Sequence, residues 1–110
     1  MIDDTLAKIE TRLAESGTLT EEQRRELREL LATLRTEITR LSKTDAEQAQ
    51  SIAGFTEVST HEATRESQNP RLLRLSLEGL TSSVERLEQS HPKLIQVVNA
   101  VSKALSDLGI

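Results

Sequence analysis

Apolar residues recur along this chain at the three-and-four spacing of a helix face, and polar residues fill the positions between them. Ile2, Leu6, Ile9 and Leu13 open the pattern. Leu27, Leu31, Leu34, Ile38 and Leu41 form its most regular run, and Leu30 widens that stripe. Leu73, Leu77, Leu80, Val84 and Leu87 make a third stripe, and Leu94, Val98, Val101, Leu105 and Leu108 a fourth. Apolar positions at i, i+3, i+4 and i+7 predict amphipathic helices.

Local signals set the boundaries of helices expected over about 2–16, 21–67, 70–89 and 92–108. Asp3 or Asp4 can cap the first, and Gly17 ends it. Thr20 and Gln23 have capping-box spacing at the start of the second. The register of that second stripe continues through Asp45 and Gln48 to Ile52 and Phe55, with no proline between 21 and 69. One long central helix is therefore expected, roughly 70 Å if straight. Thr44 with Glu47, or Gly54, marks where it would kink or break, near 44 or 54. Ala46, Ala49 and Ala53 would let a partner helix approach closely.

Two junctions share one grammar. Asn69-Pro70 and His91-Pro92 each precede a leucine-rich run. Proline expels the residue before it from the α region and itself fits the first helical position. Asn69 should cap one helix, and Ser90 or His91 the next. At the end of the chain, Gly109 fits a C′ position with Ile110 touching Leu105, the contact of a Schellman motif. The fourth helix, broadened by Ile95 and Val97, is expected to be the most buried.

These elements define an all-α fold: antiparallel helical hairpins with one long central helix, of coiled-coil or helical-bundle type, in one domain spanning 1–110. Composition agrees, with a single Phe and no Trp, Tyr or Cys, so aliphatic side chains must supply the core. A long helix overhanging shorter neighbours would leave part of its seam bare. Leu27, Leu31, Leu34, Ile38, Leu41, Ile52 and Phe55 are the candidates for a homodimer seam.

Charge and chemistry exclude more than they add. The formal net charge is -4, spread as -2 over 1–20, -3 over 21–69 and +1 over 70–110. No segment offers the basic patch that nucleic acid requires. No apolar run reaches membrane-spanning length and the N-terminus is acidic, so a soluble cytoplasmic protein is expected. The lack of cysteine removes thiolate and cysteine-zinc chemistry. His61-Glu-Ala-Thr-Arg65 begins like a zinc-protease motif, but Arg65 stands where the second histidine is needed. Glu57 and His61 share a face, where a solvent-exposed pair is the expected state. The four glycines are too dispersed for a phosphate loop, and no serine lies in a nucleophile elbow. No catalytic residue, metal site or cofactor is expected.

The run SSVERLEQSHPKLIQVVNAVSKALSDLGI resembles the signature of a bacterial family, domain of unknown function 4404. Val84, Glu85, Arg86, Glu88, Ser90, His91, Pro92, Leu105, Leu108, Gly109 and Ile110 carry the likeness. Leu87 stands where many members have Phe. The resemblance is loose over 1–43 and close over 82–110, while 44–69 looks like extra length. It implies a small helical protein without an assigned activity. The function expected is a non-enzymatic helical oligomer serving protein interaction or scaffolding, with a second copy and an unidentified protein as partners. The alternative is a regulatory binder of a small ligand, nucleic acid or a membrane surface, with Arg24, Arg25, Arg28 and Arg35 as its first basic residues.

Overall fold

A computed structural model describes residues 2–87 and 90–109. Among them are five α-helices, α1 (Ile2–Glu15), α2 (Glu21–Ser42), α3 (Ala46–Thr64), α4 (Pro70–Val84) and α5 (Pro92–Asp107), and no strand. The all-α class therefore holds. Short connections turn each helix back against the last, and α3 packs against all four others.

The long central helix does not form. Leu41 accepts from both Thr44 N–H and Asp45 N–H, at 3.0 and 2.8 Å, which closes α2. Asp45 then leaves helical geometry and its Oδ1 accepts from Gln48 N–H at 3.1 Å. The break falls beside the first expected position, with Asp45 rather than Thr44 as the cap, and Gly54 lies inside an unbroken α3. Folding back lets Ala49, Ile52 and Ala53 become fully buried, which an extended helix would leave in water. The molecule measures 37 × 24 × 22 Å, so no element approaches 70 Å.

This break corrects the expected dimer seam. Leu27, Leu31, Leu34, Ile38, Leu41 and Ile52 are all buried within one chain, in one core shared with residues of α1, α4 and α5. The seam is not bare because α5 and α3 cover α2. Only Phe55 of the seven remains exposed.

The most buried helix is α3, with nine buried residues against five in α5, contrary to the apolar pattern. Its buried positions are largely Ala, Ser and Thr. Thr56, Thr60 and Thr64 each donate their hydroxyl to the carbonyl four residues earlier, at 2.8, 2.8 and 2.7 Å. Hydroxyls satisfied within their own helix can enter a core without a neighbour's help. Small side chains then let α1, α2 and α4 approach a central rod.

The two proline junctions differ in detail. Asn69 Oδ1 accepts from Arg71 and Leu72 N–H, both at 3.1 Å, and Pro70 starts α4. His91 occupies the corresponding place before Pro92 but makes no side-chain cap bond. Ser90 does not cap α5 either, since its hydroxyl donates backward to Leu87 O at 3.4 Å. α4 itself stops at Val84, and a 3-10 turn over Glu85–Leu87 replaces the end of the expected helix. Asn69→Ala should cost about 1 kcal/mol of stability and His91→Ala almost nothing, whereas His91→Asn should gain up to about 1 kcal/mol. Thermal unfolding of the three variants checks this ordering.

At the other end, Gly109 N–H donates to Ser106 O at 3.0 Å without a left-handed conformation, so the expected Schellman geometry at Gly109 is not adopted. Gln68 instead ties the last turn down, donating to Ala63 O and Leu108 O at 2.7 and 3.2 Å. Ile110 lies outside the described residues, as does the final part of the expected third helix, 88–89.

Candidate interaction surface

The exposed large hydrophobic side chains among the described residues are Phe55, Val58, Leu72 and Leu75, at 40, 47, 42 and 49% of full exposure. Each pair is spaced i, i+3, so each lies on one face of its helix. α3 and α4 form an antiparallel hairpin through the linker 65–69. Phe55 lies directly on Gly79, where an added Cβ would collide with the ring's Cε1 and Cδ1. Leu72, Leu75 and Gly79 share one face of α4 by their 3-4 spacing, so that contact puts the exposed faces of α3 and α4 on the same side of the hairpin, where they form an apolar strip. Gly79 is therefore a close-approach glycine, and it seats the chain's only aromatic ring.

Charged groups border the strip. Glu62, buried on the α3 side, receives Arg65 at 3.1 Å and has His61 Nε2 at 3.8 Å. Glu47 is exposed in the first turn of α3, and Arg71 and Glu78 are exposed on α4. His61 thus approaches Glu62, and Glu57 instead lines an open depression between α1 and α3. That depression, about 860 Å³, mixes Asp4, Lys8, Arg12, Glu57 and Arg65, with no single sign of charge to select a ligand. Among the described residues no group of three or more His, Asp or Glu could hold a metal ion.

The basic residues singled out on α2 do not act together. Arg24 clamps the end of α1, donating to Leu13 O, to Ala14 O at 3.3 Å and to Ser16 O at 3.1 Å. Arg35 pairs with Glu10 at 2.6 Å and approaches Asp3 at 3.9 Å. Arg25 and Arg28 remain exposed among glutamates. No helix among the described residues is long and apolar enough to cross a membrane.

Sequence reasoning placed Phe55 at an interface but missed Val58, Leu72 and Leu75. The signal was present as apolar residues lying off the main stripes. Leu72 and Leu75 sit beside the Leu73–Leu77–Leu80 face, and Phe55 and Val58 beside the Ala49–Ile52–Ala53 face.

No curated protein and no solved structure matches the chain. A family model does, and its match takes in residues 44–69 and leaves out α1. With the match running over residues 27–110, most of its length, the chain belongs to the family described as domain of unknown function DUF4404.

Proposed function

We propose that this protein is a non-enzymatic helical interaction module whose docking face is the α3/α4 strip. The observation that carries the reading is the convergence of Phe55, Val58, Leu72 and Leu75 on one hairpin face. A chain whose other described large apolar side chains are buried or partly buried has reason to leave these four exposed where a partner covers them. An aromatic ring packed on a glycine, with aliphatic side chains beside it and charges around them, has the make-up of a binding hot spot.

A photo-reactive residue at Val58, introduced in the native host, tests the reading. The expected result is a discrete protein adduct, absent when the same residue replaces exposed Arg28 on α2. No adduct at position 58 above the Arg28 control would overturn it.

A further inference from the structure

We infer that the occupant of the α3/α4 strip is a second copy of this chain, docked about a two-fold axis that crosses α3 near Thr56. The inference rests on the proposed docking role of the strip and adds its partner. Its ground is self-complementarity. Glu47 and Arg65 stand nine residues on either side of Thr56. Eighteen residues are five full turns at 3.6 per turn, so both fall on the same side of α3. Phe55 and Val58 straddle a point half a residue further on, about 0.75 Å along the helix axis. Laying a second α3 antiparallel on the first brings Phe55 to Val58 of the second copy, and Val58 to its Phe55. The same rotation sets Glu47 against Arg65 of the second copy, twice.

α4 fits the same axis. Gly79 is level with Phe55, as their contact shows. Leu75, four residues from Gly79, then falls near Thr81 and Ser82 of the second copy, beside the Phe55 ring seated on that copy's Gly79. Arg65 already serves Glu62 at 3.1 Å, but a guanidinium has five donors and can take a second carboxylate. A two-fold interface demands that one patch complement itself. This one has an apolar centre with opposite charges at its two ends. Four apolar side chains from each copy make a small interface, so association should depend on concentration.

Sedimentation of the purified full chain over a concentration series tests the inference. The parent should show a monomer–dimer equilibrium. Val58→Lys, at an exposed site, should stay helical and be monomeric throughout. Glu47→Arg should weaken dimerisation by about tenfold, since two rim attractions become repulsions. Arg65→Glu should do the same, and mixing the two variants should restore a heterodimer, because each reversed charge then meets its complement. Arg65 also pairs within its own chain, so Glu47→Arg, mixed with an Arg65→Glu protein confirmed to be folded, carries the charge test. A parent that is monomeric at every soluble concentration would overturn the inference, as would dimerisation indifferent to Val58→Lys. So would a mixture associating no better than its components. A photo-adduct at position 58 containing only another protein would overturn the second copy while sustaining the docking role, whereas no adduct removes both.

Discussion

Ile52→Ala should lower the free energy of unfolding by about 2–5 kcal/mol, measured by urea denaturation at a protein concentration where only monomer is present. Ile52 is fully buried in the middle of α3, with Ala49 and Ala53 equally buried around it. The mutation removes three methyl or methylene groups, and the surrounding helices cannot close the gap fully because the small residues of α3 already hold them at close approach. Had Ile52 lain on an intermolecular seam, the same change would weaken association and leave monomer stability nearly intact. Val58→Lys should show the reverse, with association lost and unfolding little changed. An Ile52→Ala protein as stable as the parent would contradict the burial of α3.

The second large effect is expected at Arg24. Arg24→Ala should cost about 2–3 kcal/mol, and Arg24→Lys should recover less than half of it. One guanidinium supplies the donors for the carbonyls of Leu13, Ala14 and Ser16, groups at a helix end that have no partner within the helix. Its side chain is only 16% exposed, so water does not replace it freely. A lysine ammonium has no planar fork to span three carbonyls. Hydrogen exchange should locate the loss in α1, whose amides should lose protection before those of α3. Uniform loss of protection across all helices would mean that the clamp supports the whole core rather than α1.

The helices were legible because their causes are local. Thr20 and Gln23 make both bonds of the capping box, at 3.1 and 2.9 Å, and Asn69-Pro70 starts α4 through neighbours in sequence. The stripes of α1, α2, α4 and α5 each face the core, because periodic leucines leave a helix one way to bury them. The errors arose where the deciding contact was distant. Residues 44–55 continue the register of α2; the Asp45 cap permits a break there, and packing of α3 against α1, α2 and α4 favours it over continuation. The C-terminal glycine was read from a local motif, but Gln68, forty residues earlier, holds that turn.

The candidate surface was half legible for the same reason. Phe55 was assigned to an interface on an incorrect register, as the tail of a long seam. Its exposure follows instead from its angular distance from the Ala–Thr face that α3 buries. Leu72 and Leu75 could be seen as surplus to the α4 stripe, but nothing local says whether surplus leucines find another helix or water.

By itself the sequence determined an all-helical chain, the Thr20 and Asn69 caps, four core-facing stripes and its family. Those properties depend on spacing and on chemistry within a turn or two. Tertiary structure decided that α3, the helix with the weakest apolar stripe, lies at the centre, because hydroxyls that bond their own backbone cost little inside and small side chains admit close neighbours. It also decided that the leucine seam of α2 is spent within one chain. What remains outside is the Phe55–Leu75 strip, a consequence of which faces the five helices could cover.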